Sequence, residues 1–230
     1  MNRMLEVCLV GLTLLASALA ANDAAGQTLR KGISVEMAVT KNAAPMPEAD
    51  DANAWIVTVR RDGAVYFGTD AVTPEGLLDR MTRTPRNRAQ KLFIKADARA
   101  PFAGVKSALG AARSSFFEDA VLLTSQPGSA TPGTIVSPKG LEVRIIPPPG
   151  GAPSIIVQVG AGQPSPTLKV NNEAIPLDAL DSKLKQLLQN SSAKVVLVKA
   201  DGQLPFAEVV RVIDACRSNG AKAVLATPGL

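Results

Sequence analysis

The sequence predicts an α+β protein made of two tandem homologous domains, each a mixed β-sheet with two helices packed on one face. The first observation behind this prediction is an internal repeat, because Lys-Ala-Asp at 95–97 and Pro-Phe-Ala at 101–103 recur 104 positions later. The second is that short apolar runs and helical periodicities follow one another in the same order in both copies. The third is a hydrophobic content of 46%, which supplies enough apolar side chains for a packed core.

The elements of the first copy begin with strands, and the turn Arg61-Asp62-Gly63 between two of them is typical of a β-hairpin. A helix is predicted to begin at Pro74, because the first position of a helix does not use its N–H group. A second helix is predicted to begin at Pro101. The strands of this copy are predicted at 33–39, 55–59, 64–67, 91–97 and 120–124, with a proline-containing loop at 42–53.

The second copy follows the same order. Its first helix is predicted to begin at Pro176 and its second at Pro205, with Gly220 as the C-terminal cap of the second. Its strands are predicted at 141–146, 155–159, 167–170, 195–201 and 223–227, with a proline-containing loop at 147–153. The first domain is therefore predicted to span 30–126 and the second 140–230, joined by a linker rich in proline and glycine at 127–139.

The N-terminus has the features of a secretory signal peptide, which is predicted to cover residues 1–20. Arg3 supplies positive charge, an uncharged and mostly apolar run extends over 7–21, and the Ala-Leu-Ala sequence at 18–20 fits a signal-peptidase site. The apolar run is shorter than the roughly 20 residues that cross a bilayer. Cleavage would remove Cys8 and leave Cys216 as the single cysteine, without an internal disulfide. The alternative is an uncleaved short anchor.

The composition argues against most enzyme classes. The chain contains no histidine, which excludes Ser-His-Asp and Cys-His sites and most zinc, copper and non-haem iron sites. No Gly-rich phosphate loop or metal-ligand spacing occurs. The sequence therefore predicts no enzyme, no catalytic, cofactor or metal site, and no cofactor. The net charge of +5 is scattered and not interleaved with aromatic residues, so nucleic acid is not expected as a partner. An anionic polymer of the cell envelope stays open.

The residues that recur between the copies are predicted to be structural. Aspartates at strand ends accept hydrogen bonds from the N–H groups of the following turn and helix, and no second carboxylate recurs beside them for acid–base catalysis. The lysines two positions earlier are expected to be surface residues or members of local ion pairs. The phenylalanines are expected in the core, as is Cys216. The recurring set is Lys95, Asp97, Pro101 and Phe102 in the first copy, and Lys199, Asp201, Pro205 and Phe206 in the second.

Both halves resemble the periplasmic domain of the ExbD/TolR family of biopolymer-transport proteins. The second half matches best, with an apolar strand ending in Ala-Asp at 200–201, Pro-Phe at 205–206, Asp-Ala at 214–215, Asn-Gly at 219–220 and Val-Leu-Ala-Thr at 224–227. The first half carries the hairpin better, at 56–66. Two departures from the family pattern stand out. The run 7–21 lacks the aspartate that couples proton flow to force in the family, and the domain is present twice.

The resemblance implies a non-enzymatic periplasmic binding or adaptor protein associated with a TonB/Tol-type energy-transducing transport system. Envelope proteins of such a motor are the expected partners, with peptidoglycan as a further possibility, and the two domains are expected to pair within the chain or with a second chain. Two alternatives stay open. One is a membrane-anchored ExbD/TolR-like subunit of the transport complex, located in the inner membrane and facing the periplasm, and the other is a motor-independent peptidoglycan-binding module.

Overall fold

A computed structural model describes residues 32–85, 87, 89–126, 137–146, 155–162 and 165–227. The strands of these residues form one large mixed sheet, which four α-helices accompany. This agrees with the predicted combination of mixed β-structure and α-helices. The first half contains β1 (Ala44–Pro45), β2 (Trp55–Val59), β3 (Val65–Phe67), β4 (Asp70–Val72), α1 (Pro74–Arg83), β5 (Leu92–Ala96), α2 (Phe102–Ser114) and β6 (Asp119–Thr124), and a 3-10 helix at Pro47–Asp50 follows β1.

The second half contains β7 (Lys139–Arg144), β8 (Ile155–Gly160), β9 (Thr167–Val170), β10 (Glu173–Ile175), α3 (Leu180–Gln189), β11 (Val195–Ala200), α4 (Phe206–Ser218) and β12 (Lys222–Leu225), and a 3-10 helix at Leu177–Ala179 leads into α3. From β8 onward, the strands and α-helices of the second half correspond in order to those of the first half from β2 onward. Three short strands were not predicted from the sequence, namely β4, β10 and also β1, which lies within the predicted loop at 42–53. These strands are only two or three residues long, which is too short for a clear alternation of apolar and polar residues.

The two halves share a single sheet because β6 pairs with β7 in antiparallel fashion along its whole length. The strand order is β10-β9-β8-β11-β12-β7-β6-β5-β2-β3-β4, and β1 adds to the side of β7. Within each half the central strands are parallel, as in β2–β5–β6 and β8–β11–β12, and the outer meander is antiparallel. The division into two domains with the predicted boundaries stays a prediction.

The predicted first strand, 33–39, is wrong as a regular strand. Only isolated bridges form there, between Met37 and Asp97 and between Val39 and Ser125. The physical reason is competition for a strand edge. The edge of β6 that this segment would use is occupied by β7 as far as Thr124, which leaves only Ser125 for Val39.

The main hydrophobic core lies between the helices and one face of the sheet, and it is continuous across both halves. A second, smaller cluster lies on the opposite face of the first half. There Met46 and Ala49, from the segment around the first 3-10 helix, pack on side chains of the sheet. The residues of the sheet in this cluster are Ile56, Phe93, Val121 and Leu123.

Several predicted segments lie outside the described residues. They are the signal peptide at 1–20, most of the linker and the loop at 147–153. Lys139, the last residue of the predicted linker, is the first residue of β7. Among the helices of the described residues, none is long and apolar enough to cross a membrane.

Candidate functional site

The recurring motifs of the two halves lie against each other. Pro101 and Pro205 form an antiparallel bridge, and four backbone hydrogen bonds flank it. The amide of Phe102 donates to the carbonyl of Leu204 at 2.8 Å, and the amide of Phe206 donates to the carbonyl of Ala100 at 2.8 Å. In the same way Ala103 donates to Gly202, and Ala207 donates to Ala98, each at 2.9 Å.

This arrangement solves a problem of the two helices that follow. The first N–H groups of a helix have no acceptor inside the helix. Both α2 and α4 begin after a proline that offers no side-chain oxygen for capping. Each helix therefore takes its missing acceptors from the turn of the other half. The recurring turns act as reciprocal helix caps, and they join the two halves.

The recurring aspartates organise their own turns rather than the helices behind them. Oδ1 of Asp97 accepts a hydrogen bond from the amide of Arg99 at 3.0 Å, and Oδ1 of Asp201 accepts one from the amide of Gln203 at 2.9 Å. The backbone carbonyls of the two aspartates accept bonds from the amides of Ala100 and Leu204. The predicted hydrogen bonds from the amides of each turn to its aspartate are therefore present. The first amides of each helix instead donate to carbonyls of the other half.

The recurring apolar residues lie in the core. Phe102 and Phe206 are buried at the start of their helices. Cys216 is fully buried on α4, and burial is the main cause that raises the pKa of its thiol to about 12. A thiol with such a pKa holds almost no thiolate at neutral pH, so Cys216 behaves as a small apolar residue.

The two recurring lysines differ in their surroundings. Lys199 is exposed as expected, but Lys95 is only 3% exposed, so the prediction of a surface position is wrong for Lys95. Burial lowers the pKa of the Lys95 amine, and the nearby negative charge of Asp50 raises it by a smaller amount. Asp50 belongs to the 3-10 helix that covers this face of the sheet. The two lysines differ in exposure because this 3-10 helix covers the face that carries Lys95, whereas the face that carries Lys199 has no such cover among the described residues.

The sheet surface around Lys199 was not predicted from the sequence. Lys199 pairs with Gln158 across β11 and β8, and Gln158 pairs with Lys169 across β8 and β9. The three side chains therefore form a row on one face of the sheet, and both lysines are exposed. Ile156 and Leu197 form the neighbouring row and are half-buried. The signal was present in the sequence, because apolar and polar residues alternate along β9 and at the end of β11.

Within the described ranges, no group of three or more His, Cys, Asp or Glu residues could hold a metal ion. The outermost strands, β4 and β10, each pair with one neighbour only among the described strands. Free strand edges and an open sheet face are features of a surface that binds other chains.

The described residues thus define a mixed α/β protein whose recurring motifs hold its two halves together and whose open surfaces lie along the sheet. The family model of ExbD, described as biopolymer transport protein ExbD/TolR, matches residues 138–228. This match covers less than half of the chain and supports the ExbD/TolR family for residues 138–228. A comparison with curated proteins found no match.

Proposed function

We propose that the protein is a non-enzymatic periplasmic adaptor that binds envelope proteins of a TonB/Tol-type energy-transducing system. The observation that carries this proposal is the family match over 138–228. The shared sheet adds a physical argument, because it joins the halves and its outermost described strands, β4 and β10, each pair with one neighbour only.

The free edges give the adaptor a means of binding. An edge strand presents unpaired N–H and C=O groups, and an extended segment of a partner can add to it as a further strand. At one end of the sheet this edge is β10, where Ala174 is exposed. At the other end it is β4, where Ala71 is exposed. A partner strand at either edge would extend the sheet without a change in the fold.

The proposed location is the periplasm, with export by the N-terminal signal. The alternative is a chain that keeps residues 1–20 as an anchor in the inner membrane. The intact mass of the protein after fractionation of its native host distinguishes them. A soluble species that begins at Ala21 supports the adaptor, and a full-length species in the membrane fraction supports the anchored subunit.

The proposed partner is tested by site-specific photocrosslinking in cells, with the photoreactive residue at position 174 on β10 or position 71 on β4. The matched control carries it at position 185, an exposed lysine on α3 that belongs to neither edge strand. We expect crosslinks to a motor or TonB-like component from the edge positions and not from the control. Edge positions that yield no such component, with the protein present at its normal level, would contradict the proposal.

A further inference from the structure

The two halves of the sheet present equivalent faces that differ in their cover. In the first half, strand register aligns Ile56 with Phe93 and Thr58 with Lys95. All four side chains are at most 3% exposed. In the second half the same register aligns Ile156 with Leu197 and Gln158 with Lys199. Here the first three side chains are half-buried and Lys199 is exposed.

The cover of the first half shows what such a face accepts. It is the segment from Ala44 to Asp50, whose apolar side chains Met46 and Ala49 pack on the sheet. Its acidic residues face lysines of the same half. Glu48 forms an ion pair with Lys91 at 3.3 Å, and the charge of Asp50 acts on Lys95. The first half therefore binds a short segment in which apolar and acidic residues alternate.

Among the described residues, the second half has no segment equivalent to Ala44–Asp50. The connection between β7 and β8 includes 147–154, whose sequence is Pro-Pro-Pro-Gly-Gly-Ala-Pro-Ser and contains neither an acidic residue nor a large aliphatic one. Neither Lys169 nor Lys199 forms an ion pair within the part of the chain that the structure describes, although other lysines of the second half do. Asp201, two residues after Lys199 in the chain, lines the same surface depression as the two lysines. Glu142, further along the sheet, is held by Lys222 at 3.8 Å.

We propose that this open face, formed by Ile156, Gln158, Lys169, Leu197 and Lys199, binds a short acidic and apolar segment of a partner protein. The apolar residues of the segment would cover Ile156 and Leu197, which removes apolar surface from water. Its carboxylates would lie over Lys199 and Lys169, where charge complementarity sets the register and favours acidic over basic segments. This site is independent of the proposed adaptor role, because it concerns a sheet face rather than the strand edges or the cellular location.

The test uses the full chain and a fluorescein-labelled peptide with the sequence of residues 43–52, which contains the apolar and acidic pattern of the natural cover. Fluorescence anisotropy measures the dissociation constant. We expect saturable binding to the wild type. In the Lys199→Glu variant the dissociation constant should rise at least tenfold, because the substitution replaces an attractive charge contact with a repulsive one. The matched control is Lys185→Glu, the same charge change at an exposed position on α3, and it should leave the dissociation constant within about twofold. A peptide with its acidic residues replaced by Gln and Asn should bind at least tenfold more weakly.

Other results would overturn the proposal. Equal weakening by Lys199→Glu and Lys185→Glu would mean nonspecific charge attraction, and no effect of Lys199→Glu would place the peptide elsewhere, including on the first half. Self-association by sedimentation that Lys199→Glu abolishes, without peptide binding, would make a second copy of the chain the occupant. Binding that appears only after 147–154 is replaced by a Gly-Ser linker would mean that the chain covers the face itself. The far-ultraviolet circular dichroism spectrum, which reports on the secondary structure of both halves, verifies that each variant is folded.

Discussion

A single residue type at equivalent positions has two different roles in this protein. Lys95 in β5 and Lys199 in β11 each lie near the end of an apolar strand, directly before an Ala-Asp pair. Lys199 is solvated, whereas Lys95 is enclosed under the segment that carries Asp50. Burial disfavours the charged form of an amine, so the pKa of Lys95 lies below its ordinary value of 10.5. The free-energy cost of a charged lysine at this position therefore depends on whether another segment of the chain covers it.

We expect the Lys95→Met variant to be more stable than the wild type at pH 7, by about 1 kcal/mol, because methionine fills similar volume without a buried charge. A lowered folded-state pKa means that the unfolded chain binds the proton more tightly, so the wild type gains stability as pH rises towards 10.5. The advantage of the variant should therefore shrink over that pH window. Urea unfolding at several pH values measures both effects. In the control, Lys199→Met, the free energy of unfolding should change by less than about 0.5 kcal/mol.

At the scale of elements, the helices α2 and α4 depend on each other for their first hydrogen bonds. Their N-terminal amides donate to carbonyls in the turn of the other half, at 2.8–2.9 Å. The close approach leaves little space. A Cβ atom at Gly202 would lie 3.2 Å from the Cβ of Ala103, although Ala98, the equivalent of Gly202 in the first turn, carries one. The two turns are therefore similar in sequence but not identical in packing.

The Gly202→Val variant should lose about 2 kcal/mol of unfolding free energy, because its methyl groups overfill the contact between the turns. Gly202→Ala is the graded control and should lose less. The informative probe is Trp55, which packs on Phe67 in the first half with 5.2 Å between ring centroids. If the turns couple the halves, the urea midpoint reported by Trp55 shifts although the substitution lies in the second half. A shift seen by circular dichroism but not by Trp55 would show that the halves unfold separately.

At the scale of the whole molecule, one antiparallel strand pair makes a single sheet out of two halves. Gly140 of β7 lies opposite Leu123 of β6, and a Cβ atom there would come within 2.5 Å of Cγ1 of Val121 and 3.0 Å of the carbonyl oxygen of Leu122. Backbone atoms cannot move aside as a flexible side chain can. The position therefore requires glycine for close approach of the strands.

Gly140→Ala is expected to lower the free energy of unfolding by about 2 kcal/mol, as overpacking at a rigid contact does. Val121→Ala in the same chain removes the nearer obstacle, so the double variant should lose less than the sum of the two single variants. Gly160→Ala is the control, because the atom it meets is the hydroxyl oxygen of Thr167, which can rotate away. Chemical denaturation gives all four values. Additive losses would show that Gly140 does not act through Val121.

The sequence alone determined the elements whose local chemistry is strong. The spacing of apolar residues, the prolines at helix starts and the internal repeat predicted β2, β5, β9, β11 and the starts of α2 and α4. They also indicated Gly220 as the cap of α4, and its φ is +71°. Tertiary structure decided the rest. It left 33–39 without a regular strand because β7 takes the edge of β6, and it buried Lys95 because a neighbouring segment covers that face. It also placed Phe116, at the position that Gly220 holds in the other copy, at a φ of +63°. Local patterns record what a segment prefers, whereas edge pairing, cover and reciprocal capping depend on which segments meet in space.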